Sequence, residues 1–207
     1  MIESPQLDNT LPNIILASKS PRRADLLKQI GLEFKVYPSE IEEPQITASP
    51  ANAVQELALT KARTVAAKFD AGIVLGADTV VVIDGQPIGK PENDAHAVEI
   101  LKQLSGNRHE VITGTALIDI KRKNEVVWAE KTAVYFRTLR QSEILAYVGS
   151  GESSDKAGAY GIQGRAGAFV DRIEGCYFNV VGLPLASLTV QLWRLLENVP
   201  HCNDSKY

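Results

Sequence analysis

Apolar residues along the chain follow two rhythms, alternation of period two and helical spacing, and these trade places from one segment to the next. Ile14 to Ala17 is a short unbroken apolar run that predicts a buried strand. SKSPRR follows it, and a helical pattern then extends to about Ile30 with Gly31 as its stop. Leu32, Phe34 and Val36 alternate with polar residues as a half-buried strand ended by Pro38. Ser49 as N-cap and Pro50 at the first helical position open a long helix to about Phe69. Ile73 to Leu75 and Val80 to Ile83 are β-branched runs interrupted by Gly76, Ala77, Asp78 and Thr79, and Asp84-Gly85 reads as a hairpin turn. This stretch predicts the centre of a sheet.

A helix is expected near Asn93 to Leu104, ending at Gly106, and then two long alternating strands, about His109 to Ile120 and Val126 to Arg137, joined by the charged turn KRKN. A short helix around Ser142 to Val148 leads to the glycine-rich GAYGIQGRAG. A last hairpin turning at Glu174 and Gly175 and a closing helix from about Pro184 to Leu196 complete the pattern. The order predicts a mixed α/β domain without repeats or linkers. Residues 1 to 12 and 199 to 207 are polar and aperiodic, and read as terminal extensions.

Composition narrows the choice of function. With 207 residues, 44% of them hydrophobic, the chain can bury one sizeable core or two closely joined lobes. A net charge of -3 disfavours a nucleic acid or an anionic membrane held by bulk charge, so any phosphate must be caught locally. Cys176 and Cys202 have no paired spacing, which fits a reduced compartment. The N-terminus lacks a signal-peptide pattern and no apolar run is long enough to span a bilayer, so a cytoplasmic location is expected.

Several positions break the pattern in ways that suggest chemistry. Ser20 stands as the N-cap of the first helix with Pro21, Arg22 and Arg23 in its first turn, which places two cations where the helix dipole is already positive. With Ser18 and the free N–H groups they would form a phosphate cradle; an RR pair alone reads more readily as a solvated basic turn, and the strand before it and the serines reverse that preference. Lys61 lies between Leu57 and Val65 on one helical line, so its ammonium points inward or toward a cleft, or snorkels at the core edge. Asp78, set between apolar runs, should meet a cation, a metal or a reacting water; the plainer reading is an aspartate bonded to its own turn.

Glu42 and Glu43 could add a carboxylate for a metal, or form an ordinary acidic loop. Pro91 holds Lys90 in extended backbone, from which it projects as a second phosphate cation or as a surface lysine. Glycines at 158, 161, 164 and 167 frame Tyr160 and Gln163, whose amide offers the donor and acceptor an edge-on reader of a base requires. His96, His109 and His201 have no zinc-ligand spacing, and no Walker A, G-x-S-x-G or G-x-G-x-x-G fingerprint occurs.

LASKSPRRADLL at 16–27, LGADTVV at 75–81, GKP at 89–91, LSGNRHEVITG at 104–114, DKAGAYGIQG at 155–164 and VGLPL at 181–185 together resemble the Maf-like nucleotide pyrophosphatases, over a domain of about 13–198. The resemblance implies an α/β fold with a mixed sheet flanked by helices and a nucleotide cleft between two lobes. It further implies a divalent cation, Mg²⁺ or Mn²⁺, and hydrolysis between the α- and β-phosphates. On it, Asp78 matches the catalytic aspartate, with Lys61 and Lys90 as its lysines. Ser18, Arg22 and Arg23 match its phosphate-handling serine and arginine pair, beside the Ser20 already read at the helix end, and Glu43 would join Asp78 at the metal.

Arg22, Thr79 and Gln163 match the specificity positions of the branch acting on dTTP and UTP. A homodimer is common among similar proteins. Two further roles attach to the resemblance: a nucleotide-binding regulator of septum formation, and a pyrophosphatase for modified purine nucleotides such as 7-methyl-GTP. The polar ends are longer than the family needs.

Overall fold

The structure is a computed structural model that describes residues 12–41 and 49–197. The first apolar run forms strand β1 (Ile14–Leu16), which leads through a short loop into helix α1 (Pro21–Gln29). Pro21 occupies a position whose N–H has no helical partner to lose, and Gly31, at φ 73°, supplies the left-handed backbone that follows the helix. Next come β2 (Phe34–Val36), α2 (Pro50–Ala66), β3 (Ile73–Ile83), β4 (Gln86–Ile88), α3 (Asp94–Leu104), β5 (Arg108–Asp119), β6 (Asn124–Phe136) and α4 (Gln141–Val148). The glycine-rich segment forms two short 3-10 turns, Ala157–Ala159 and Arg165–Phe169. β7 (Val170–Glu174), α5 (Tyr177–Val181) and α6 (Leu185–Glu197) complete the fold.

The expected mixed α/β architecture is present, with a sheet of order β2-β1-β3-β5-β6-β7 and β4 against β3. β1 runs parallel to both β2 and β3, whereas β3, β5, β6 and β7 pair antiparallel in turn. Asp84 and Gly85, at φ 50° and 76°, make the tight turn between β3 and β4.

Some local expectations are corrected. Gly76 to Thr79 does not interrupt the β-branched runs, because β5 pairs with β3 continuously from Ile73 to Val82 and holds the segment extended. Glu174 and Gly175 do not turn a hairpin: β7 pairs back onto β6, and after Gly175 the chain enters α5. Ser20 and Ser49 occupy the cap positions without a side-chain cap bond, and Ser49 adopts left-handed backbone at φ 45°. Helix α2 ends at Ala66, short of Phe69.

Side-chain alternation divides the sheet into two faces. On one face of β3, Ile73, Leu75 and Ala77 join an apolar cluster with α1 and α6, and Val81 joins a second cluster with α3, α4 and Tyr160. Between these clusters lies a polar band of Thr79, Thr113 and Thr132, bridged by the buried Asn179 of α5. The band marks the boundary of two lobes that share the same long strands.

The opposite face is covered by α2, whose Val54, Ala58, Ala62 and Val65 are fully buried. Gly76 and Gly114 let this helix approach closely. A Cβ on Gly76 would stand 3.0 Å from the Ala62 nitrogen and closer to the Ala58 carbonyl; one on Gly114 would stand 2.5 Å from the Gln55 nitrogen.

Candidate active site

β1 pairs with β3 only as far as Leu75, and β4 begins pairing with the same edge at Val81. Among the described residues, no strand covers that edge of β3 in between. Asp78 and Thr79 lie in the gap and project to opposite faces of the sheet, so both reach one opening. The opening is a cleft of about 540 Å³ lined by the loop after β1, Lys61, Asp78, Thr79, Lys90 and the glycine-rich segment.

On the α2 side, the Lys61 ammonium donates to Asp78 Oδ1 at 2.6 Å, with both residues buried at 5% and 8% exposure. The close approach permitted by Gly76 and Gly114 brings the helix within lysine reach of the strand. A buried carboxylate needs such a partner, because burial alone would cost it several kcal/mol. Asp78 therefore stands within β3 at the cleft wall, paired with Lys61, and is not a turn aspartate.

On the α1 side, Arg23 is buried and, among the described residues, its guanidinium donates to Ser18 Oγ at 3.0 Å, Thr79 Oγ1 at 3.1 Å and the Gly182 carbonyl at 2.9 Å. Arg22 is more open and reaches across the cleft to Asp155 at 3.4 Å. The two arginines thus differ, one built into the wall and one at the mouth. Ser18 Oγ also accepts from the Ser20 N–H at 3.2 Å, and Ser20 lines the same cleft at the start of α1.

The far wall is the glycine-rich segment. Its Gly158 N–H donates to the Gly89 carbonyl at 3.0 Å, which ties it to the loop that carries the exposed Lys90. Gln163 is exposed and lines the cleft. Asp155 accepts from Lys156 at 2.6 Å; burial pushes its carboxyl up, but Lys156 and Arg22 outweigh burial and hold it below the usual range. Behind this wall Tyr160 bonds His109 Nε2 at 2.8 Å inside an aromatic cluster with Phe136. Burial, helped by the Arg108 charge, lowers the His109 pKa to about 4, and burial raises that of Tyr160.

The structure brings Ser18, Ser20, Arg22, Arg23, Lys61, Asp78, Thr79, Lys90 and Gln163 to one cleft. Glu42 and Glu43 lie outside the described residues, as do His201, Cys202 and the polar ends apart from Pro12. Among the described residues, no three His, Cys, Asp or Glu side chains cluster as a preformed metal site. No described helix is long and apolar enough to cross a membrane.

Residue-by-residue reading of the sequence passed over Asp155, which sits in the quoted DKAGAYGIQG string, and the Gly182 carbonyl, which no side-chain pattern announces. It also passed over Gly114, an isolated glycine in a strand whose signal is close backbone approach.

A sequence profile described as Maf-like protein matches residues 13–195. The chain belongs to the Maf-like family. It is 49% identical over 189 residues to a dTTP/UTP pyrophosphatase of Ruminiclostridium cellulolyticum, covering 90% of this chain and 98% of that one. A dTTP/UTP pyrophosphatase of Symbiobacterium thermophilum is 50% identical over 183 residues, covering 88% and 93%. One from Geobacillus is 49% identical over 187 residues, covering 89% and 99%. Among solved structures, a nucleoside-triphosphatase, dITP/XTP pyrophosphatase, from Mycobacterium abscessus is similar at 15% identity and TM-score 0.46, covering 91% of this chain and all of that one; at that distance the likeness decides neither fold nor chemistry.

Proposed function

We propose that this Maf-like protein hydrolyses dTTP and UTP to the nucleoside monophosphate and pyrophosphate. The observation that carries the reading is the buried Lys61–Asp78 pair that lines the cleft at the gap in β3, together with the arginines and serines at the start of α1. A triphosphate docked there meets the unpaired N–H groups of the helix end, the hydroxyls of Ser18 and Ser20, and the Arg22 guanidinium. Asp78 accepts a proton from a water that attacks the α-phosphorus. The bond from that phosphorus to the bridging oxygen breaks, and the pair of electrons leaves with pyrophosphate. Lys61 keeps Asp78 oriented, and Lys90 at the mouth offsets charge on the departing group.

The donor set also fits a divalent cation bound jointly with substrate. Mg²⁺ is commonly held by one or two carboxylates together with substrate phosphates, and Asp78, bound to Lys61 through Oδ1, lines the cleft. Asp78 and Glu43 would hold such an ion, which would supply charge neutralisation on the phosphates.

Gln163 reads the base edge, and Thr79 lies on the opposite wall. Two measurements test the proposal. Pyrophosphate release from a nucleotide panel should favour dTTP and UTP over dATP, GTP and 7-methyl-GTP, with Gln163→Ala eroding the preference more than the rate. Asp78→Asn should lose on the order of 100-fold to 10,000-fold in turnover while still binding nucleotide. A wild type that binds nucleotides and releases no pyrophosphate would reduce the protein to a nucleotide binder, and an active Asp78→Asn would remove Asp78 from the chemistry.

A further inference from the structure

Behind Thr79 runs a chain of hydrogen bonds whose direction can be worked out from its far end. Thr113 is fully buried, and its Oγ1 lies 3.0 Å from the Asn179 carbonyl oxygen and 3.0 Å from Thr79 Oγ1. A carbonyl only accepts, so the Thr113 hydroxyl must donate to it. The reverse arrangement would leave two oxygens facing one another at 3.0 Å in a fully buried position. Thr113 then has only lone pairs to offer Thr79, and the Thr79 hydroxyl donates to it.

The anchor of the chain is itself fixed. Asn179 Nδ2 donates to the Val111 carbonyl and to Thr132 Oγ1, each at 3.0 Å, which settles the amide orientation and pins α5 to β5 and β6. With its one proton committed to Thr113 and one lone pair taken by Arg23 at 3.1 Å, Thr79 Oγ1 has a single lone pair left, and Thr79 lines the cleft. It can accept there and cannot donate.

We propose that Thr113, which touches no substrate, makes Thr79 a one-way acceptor and thereby selects bases that present an N–H, uracil and thymine, over cytosine, whose ring nitrogen at the equivalent edge is itself an acceptor. The proposal rests on the reading of this cleft as a pyrimidine nucleotide site. Phosphate oxygens, which have no proton to give, are likewise turned away from Thr79 toward Arg22 and the helix end. Thr113 is a positioning residue in this scheme, and the selective contact is made by Thr79.

The test compares UTP and CTP on the purified full chain, as wild type, Thr113→Val and Thr113→Ser. The wild type should prefer UTP in kcat/KM. Thr113→Val keeps the shape but removes the acceptor, which frees the Thr79 hydroxyl to turn and donate, so the UTP to CTP ratio should fall about tenfold, the worth of one hydrogen bond. Thr113→Ser restores the hydroxyl and should keep the wild-type ratio. Thr113→Ala gives the same reading if the valine variant is not recovered folded.

A purely structural role would slow both nucleotides alike. An unchanged ratio in Thr113→Val, a serine variant that loses the ratio as fully as valine, or a wild type indifferent between UTP and CTP would each overturn the proposal. UMP and CMP affinities measured by calorimetry on the same proteins give the ratio without turnover. Failure of the pyrophosphatase reading, seen as no hydrolysis of either triphosphate, is thereby told apart from failure of the role given to Thr113.

Discussion

Replacing Gly76 by alanine adds one methyl group at the place where α2 crosses β3, two residues before Asp78. The new Cβ would lie 3.0 Å from both the nitrogen and the Cβ of Ala62 and nearer still to the Ala58 carbonyl, whereas ordinary contact begins at 3.4 Å. The nearest atoms are backbone, so no flexible side-chain tip can swing away, and the helix must retreat by roughly an ångström. Overpacking of this kind costs about 1 to 3 kcal/mol, which for a chain of this size lowers the melting temperature by about 2 to 12 °C.

Lys61 is the residue next to Ala62. A retreat of that size would stretch its 2.6 Å bond to Asp78 to the limit of hydrogen bonding. Misplacement of a catalytic group by about 1 Å can cost on the order of 100-fold in rate, so Gly76→Ala should lose far more turnover than its residual stability suggests. Differential scanning fluorimetry and pyrophosphate release at a temperature well below the melting point separate the two effects. Wild-type melting and wild-type kcat together would refute the claim that this glycine sets the distance between helix and strand.

Arg23→Ala should lower the melting temperature of the ligand-free protein by several degrees, because Ser18, Thr79 and the Gly182 carbonyl lose a buried charged donor. Arg22→Ala should leave it unchanged or slightly raised, since a cation leaves the positive end of α1, while KM for the triphosphate rises. Equal melting shifts in the two variants would contradict this division. His109 is held neutral with a pKa of about 4, against about 6.5 when unfolded. Its contribution to stability is therefore complete above about pH 6.5 and lost as pH falls toward 4. Urea unfolding should show the wild type losing about 2 kcal/mol more than His109→Gln between pH 7 and 5, and parallel profiles would rule the effect out.

Lys61 and Asp78 were legible from the chain because each breaks an apolar pattern, and a buried charge predicts a partner. Their pairing with each other was not, since it depends on how closely α2 sits on the sheet, and that distance is set by Gly76 and Gly114 through contacts distant in sequence. Arg22 and Arg23 read as equivalent neighbours at a helix end. Their different burial arises from α5 and Gly182, some 160 residues on, closing over one of them. The β-branched rhythm located β3, but its continuity through Gly76 to Thr79 came from pairing with β5, a tertiary effect that overrides local propensity. The hairpin expected at Glu174 failed because a Gly at φ 124° serves equally to leave a strand for a helix.

The polar threonine band separates two apolar clusters, yet β3, β5 and β6 pass through it without a break, and their ladder is paired from one lobe to the other. A jaw built this way has no pivot. Opening it would require three hydrogen-bonded strands to bend together, so the sheet that joins the two lobes acts as one frame and not as a hinge. Selection by size is then made on arrival, by what enters, and closure over a bound nucleotide falls to loops and side chains such as Arg22, which can leave Asp155 for a phosphate without moving the frame.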